Sequence, residues 1–162
     1  DVERYKRPSI EDIELGYRLR EAGGKILLIP ELQSTHLKVW RFVNLIHTEV
    51  FCRAIPWSRL MISQTGIVND LNVSSGERLR AALAGLLGLV VLGALTGLLP
   101  WWLVLAVLAA AAYANRSLLA LFYRRKGLLF AIMGLLYHQL YYLYSSFAFV
   151  YSWLEYRVRG TV

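Results

Sequence analysis

Glu11 and Asp12 stand side by side just after Ser9-Ile10, where the sequence starts a helix. Ser9 fits the N-cap, and acids fill the first turn against the helix dipole. Backbone N–H groups at a helix start favour the ionised carboxylate. Such a pair is poised to take a proton from a hydroxyl or to bind a cation. An acidic first turn is equally the routine beginning of a structural helix. Downstream lies His36; a single His is more often structural than a ligand. His138 stands in an apolar run and has no visible partner for a metal.

The elements that would position these residues are short. Ile10, Ile13, Tyr17 and the stem of Arg20 form one face of the first helix, and Gly23-Gly24 stops it. Lys25-Ile26-Leu27-Leu28-Ile29 then reads as a buried strand ended by Pro30. A second extended stretch, 33–39, carries His36. Helix, glycine turn, strand and His segment make the tail of an α/β domain. Two such elements cannot bury a core of their own. Between Trp40 and Leu60 the residues Phe42, Leu45, Ile46, Glu49, Val50 and Arg53 follow helical spacing, and Pro56-Trp57 is expected to end the helix. An amphipathic helix on a membrane surface, or a helix packed on a catalytic core, fits this pattern. Residues 67–75, with Asn69, Asp70 and Asn72, read as a polar loop.

The rest of the chain is different in kind. Overall, 57 % of the residues are hydrophobic and 18 % charged, too apolar for an ordinary soluble domain and far from disorder. The excess sits in two uncharged runs, 81–115 and 128–154. The first is about 52 Å long as one helix, too long for a bilayer core of about 30 Å. Pro100 should break it, with Trp101 and Trp102 at the interface. Spans are therefore expected at about 81–99, 101–123 and 128–154, the last spanning with tilt or re-entrant. Arg78, Arg80 and Arg124-Arg125-Lys126 place residues 1–80 in the cytoplasm by the positive-inside rule. The net charge of +7 is thus largely membrane edging, not a nucleic-acid footprint. Ala81, Gly85, Gly93 and Gly97 share a helical face on which a second copy could pack. Gly134, His138, Tyr142, Ser145 and Ser152 share another, turned to neighbouring helices or a lipid headgroup. The single cysteine, Cys52, excludes an internal disulfide framework.

The string Glu11-Asp12-Ile13-Glu14-Leu15-Gly16-Tyr17-Arg18-Leu19-Arg20, then Gly23-Gly24, a strand and Thr35-His36-Leu37-Lys38, resembles the last blocks of family 2 glycosyltransferases with the GT-A fold. The resemblance covers about residues 1–80, and the membrane half is similar to the tail of membrane-anchored members. It implies a mainly α chain with three parts. Residues 1–40 would be the C-terminal remnant of an α/β GT-A domain, 41–80 an interface helix and linker, and 81–162 a transmembrane region. It implies that Asp12 is the catalytic base and Glu11 its acidic neighbour. His36 would help hold a divalent metal, Mg2+ or Mn2+, on the donor diphosphate, and Lys38 would be a cation beside that leaving group. The implied partners are a nucleotide sugar, a lipid-linked or glycan acceptor and membrane lipids, with no nucleic acid. The implied place is the plasma (inner) membrane, with catalysis on the cytoplasmic side.

The departures matter. The family carries a DxD motif for metal and nucleotide, and Asp1, Asp12 and Asp70 are the only aspartates here. No Gln-x-x-Arg-Trp motif occurs, and Trp40-Arg41 has the reverse order, which points away from processive synthases. The chain opens Asp1-Val2-Glu3 without an initiating Met. A C-terminal piece of a longer, inverting, non-processive transferase is the expectation, inactive by itself. A non-catalytic membrane module that scaffolds polysaccharide assembly is the alternative. A transporter fragment, suggested by Arg116 and His138 within apolar runs, is a third.

Overall fold

The computed structural model describes residues 9–35, 37, 39–65, 69 and 73–160. Among these, 79 % are helical and none is in a strand. The mainly α expectation holds at that level. The α-helices are α1 (Glu11–Glu21), α2 (Phe42–His47), α3 (Ile55–Leu60), α4 (Ser75–Leu95), α5 (Trp101–Ala114), α6 (Arg116–Lys126) and α7 (Leu128–Arg159). π-Helical turns follow α2 (Thr48–Ala54) and α3 (Met61–Thr65). The chain divides into two compact units. One comprises Asp1–Gly66 with Ala148–Val162, the other Ile67–Phe147.

In the first unit, α1 ends where the glycines require. Gly24 N–H bonds the Leu19 carbonyl at 2.8 Å and Gly23 N–H bonds Arg20 at 3.0 Å, with Gly23 at φ +81°. This is a Schellman cap, open to Gly23 because the left-handed conformation carries no Cβ penalty there. The buried residues of α1 are Glu14 and Tyr17, with Ile10 just ahead of them; Ile13 is only half-buried. The residues after the cap do not form the strand read from their apolar run. Residues 24–29 are irregular, and Leu28 is 95 % exposed. A strand exists only by pairing its backbone, and the described residues offer it no partner.

The helical stretch 42–65 does not stop at Pro56-Trp57, as the sequence suggested. Pro56 sits in the first turn of α3, where a missing N–H is tolerated, and helix continues to Thr65. Pro56 has no N–H to give the Cys52 carbonyl four residues earlier. The Ser9 hydroxyl donates to that carbonyl at 3.0 Å. Farther along, Arg59 Nε and Nη2 donate to Glu155 Oε2 at 3.0 and 2.8 Å, tying α3 to the end of α7. Leu60, Met61, Ala148 and Ser152 are buried in this unit.

The second unit packs α4 against α5. At 21 residues α4 is about 31 Å long. It is long and apolar enough by itself to cross a bilayer. A second Schellman cap closes it, with Leu98 N–H on Gly93, Gly97 N–H on Ala94 and Gly97 at φ +75°. Gly97 is therefore outside the helix, and Leu99 covers Gly93. A Cβ on Gly93 would stand 2.7 Å from Leu99 Cδ1, so Gly93 is covered, and Gly85 is the glycine of that stripe that is both within α4 and open. Pro100 precedes α5 as expected.

The run 101–123 is not one straight span. α5 and α6 meet at Asn115 with a bend of 79°. Asn115 is buried, and its Nδ2 donates to the Ala111 carbonyl at 2.8 Å. The same carbonyl also takes the Asn115 backbone N–H at 3.1 Å, so the side chain folds back on the last turn of α5 as a second donor. Arg80 Nε donates to the Ala114 carbonyl at 3.0 Å and satisfies the end of α5. Arg116 therefore opens α6 instead of lying within a span. The buried residues of this unit include Ala84, Ala94, Ala111 and Ala131 together with Val90 and Tyr142. Its large apolar residues face outward: Leu89 is 68 % and Leu105 67 % exposed. α7 is long, but its Tyr, His, Gln and Ser residues leave it less apolar than α4.

Candidate functional site

The acidic first turn of α1 is exposed, and each carboxylate meets backbone. Glu11 Oε2 accepts from Ser9 N–H at 2.6 Å. Asp12 Oδ1 accepts from Ile13 N–H at 2.9 Å, and Asp12 Oδ2 has no partner among the described residues. The Ser9 N–H, helped by Glu11's own N–H, holds the Glu11 carboxyl below the usual glutamate value. Ser9 is not the side-chain N-cap read from the sequence, because its hydroxyl is turned to Cys52. Glu11 and Asp12 thus stand in the first turn of α1.

His36 and Lys38, read as metal ligand and diphosphate cation, lie outside the described residues. No group of three His, Cys, Asp or Glu that could hold a metal ion occurs among the described residues.

Glu14 was missed as a buried carboxylate. It is 4 % exposed and pairs with Arg18 Nε at 2.8 Å. The signal was present in the i,i+4 spacing of opposite charges, but such a pair usually reads as a solvated face.

A second polar cluster forms in the Ile67–Phe147 unit. Glu77 lies in the first turn of α4 and pairs with Arg80. Tyr142 Oη donates to Glu77 Oε2 at 2.6 Å. The His138 ring lies 4.5 Å from the Tyr142 ring, and its Nδ1 is buried with no hydrogen-bond partner among the described residues. Gly134 meets the Phe122 ring. The small and polar face read on 128–154 is therefore turned to protein at Gly134 and Tyr142. Asn69, read only as loop, accepts Ser75 N–H at 2.7 Å and Arg78 Nη2 at 3.3 Å, and so caps α4 from a distance.

No family model, curated protein or solved structure matches this chain.

Proposed function

We propose that this chain is the acceptor-side end of a membrane-bound, inverting, non-processive glycosyltransferase. The observation that carries the reading is the exposed Asp12 carboxylate, one oxygen of which is unengaged among the described residues, on a helix whose glycine cap leads into an apolar segment, 25–29, with no strand partner among those residues. Such a segment is what a sheet edge held elsewhere in an α/β domain would take up. In the proposed reaction the acceptor hydroxyl attacks the anomeric carbon of a nucleotide sugar. The new oxygen–carbon bond forms as the bond to the diphosphate breaks, and Asp12 takes the hydroxyl proton. Glu11, fixed by Ser9 N–H, orients the turn that carries Asp12. A divalent metal, Mg2+ or Mn2+, would neutralise the leaving diphosphate when bound. The described residues do not make such a site by themselves, so His36 and Lys38 are proposed only as contributors to one completed by donor-binding residues.

The membrane reading rests on the polarity of the Ile67–Phe147 unit. Its buried positions include Ala84, Ala94, Ala111 and Ala131 while Leu86, Leu89, Leu92, Leu95 and Leu105 are exposed, a large apolar surface that suits helices surrounded by lipid. Cytoplasmic placement of residues 1–80 follows from Arg78, Arg80 and the 124–126 cluster. The acceptor is then a lipid-linked or nascent glycan brought to that face. Pairing of two copies would use the open Gly85.

The alternative, a non-catalytic module that scaffolds polysaccharide assembly, is favoured by one fact. Both acids already serve backbone N–H groups of their own turn. The coding sequence upstream of Asp1 tests the two readings. A DxD motif there is expected for the transferase, and an open frame without one favours the scaffold.

A further inference from the structure

α6 leaves the axis of α5 at 79°. α5 packs against α4, the helix long and apolar enough to cross a bilayer, and a helix that turns sharply away from such a pair can lie along the bilayer surface. Its composition suits that place: Arg116, Arg124, Arg125 and Lys126 are exposed, and α6 contains no acid. Leu121 and Tyr123 are also exposed, so apolar and cationic groups share the outer surface. Phe122 anchors the inner side, close against Gly134 and edge-on to Phe130 at 5.3 Å. In residues 67–147 the acids are Asp70 and Glu77, and Glu77 is engaged with Arg80 and Tyr142. Nothing within α6 neutralises its cations.

We propose that α6 is an interfacial helix whose Arg116, Arg124, Arg125 and Lys126 bind the anionic phospholipid headgroups of one bilayer face. Leu121 dips into the acyl boundary while the cations, on their long stems, reach phosphates, the usual division of labour for a helix in the membrane plane. The inference rests on α4 crossing the bilayer and is independent of the chemistry proposed at α1.

The test uses the full chain reconstituted in vesicles of phosphatidylcholine, with or without phosphatidylglycerol. In a Cys52→Ser background, a fluorophore is placed at Leu121→Cys and, separately, at Leu89→Cys, and the quenching lipids carry a nitroxide on the headgroup. The Leu121 label should lie at headgroup depth. Quenching by headgroup-labelled lipid should show a preference for phosphatidylglycerol over phosphatidylcholine. Each of Arg124→Gln, Arg125→Gln and Lys126→Gln should lower that preference by up to about fivefold. About 0.5 M sodium chloride should weaken it in the unmodified helix, independently of any variant. Equal quenching by both lipids overturns the proposal. So does a water-exposed Leu121 label beside a lipid-buried Leu89 label. Displacement by inorganic phosphate but not by chloride at equal ionic strength would assign a single-phosphate site instead and also overturns it. A water-exposed Leu89 label overturns this inference and the membrane reading together.

Discussion

Tyr142 gives its hydroxyl to the Glu77 carboxylate at 2.6 Å, and this bond joins the middle of α7 to the first turn of α4. Glu77 also holds Arg80, which in turn caps the last carbonyl of α5 at Ala114. One carboxylate therefore ties together three helices of the same unit. Tyr142→Phe removes the hydroxyl and leaves the ring. A hydrogen bond to a charged group, here only part-buried, is worth about 1–2 kcal/mol. Unfolding in denaturant should show a loss of that size, and an unchanged midpoint would mean that the bond does not hold the helices.

Asn115 sets the bend between α5 and α6. Asn115→Leu deletes the side-chain bond to the Ala111 carbonyl and leaves in place the backbone bond that residue 115 N–H makes to it. The two helices should then straighten toward a single rod of about 39 Å. Spin labels at Leu103 and Arg124 should move apart in pulsed distance measurements. An unchanged distance would assign the bend to Arg80 and packing instead.

The cap of α1 makes a graded prediction at two adjacent glycines. Gly23 has φ +81° with open space around it, so Gly23→Ala should cost about 1–2 kcal/mol of backbone strain. Gly23→Asn should cost less, since Asn tolerates this conformation. Gly24→Ala meets the Leu19 carbonyl oxygen at 2.7 Å, a backbone atom that cannot swing away. It should destabilise more than Gly23→Ala in the same unfolding experiment.

Glu11 provides a pH test. Its folded pKa lies below the unfolded value because Ser9 N–H favours the carboxylate. The associated stability is complete above the unfolded pKa and is lost as pH falls through the lower folded value. A 13C titration of the Glu11 carboxyl should give a midpoint below that of an unfolded peptide. Ser9→Pro, which lacks the N–H, should return it upward, whereas Ser9→Ala should not.

Local punctuation carried most of what the sequence revealed. Gly23-Gly24, Gly97 and Pro100 act through their own backbone chemistry, so the ends of α1 and α4 and the start of α5 were readable from residue type. The bend at Asn115 was not. One amide in a long apolar run gives no periodic signal, and its effect depends on turning back to Ala111. Continuation through Pro56 depended on π-helical turns and on Ser9 reaching Cys52, contacts 43 residues apart. The 25–29 run has strand composition, but pairing partners decide strands, and none is among the described residues. At the candidate site, the exposed place of Glu11 and Asp12 followed from their position in the first turn. Burial of Glu14 did not, because it depends on what packs against α1.

The most direct test of the central claim is sugar transfer by the intact protein, whole chain included, with Asp12→Asn. Transfer should fall by about 10²–10⁴-fold, as expected for loss of a general base, while donor binding stays nearly unchanged. Normal turnover by Asp12→Asn would contradict the account.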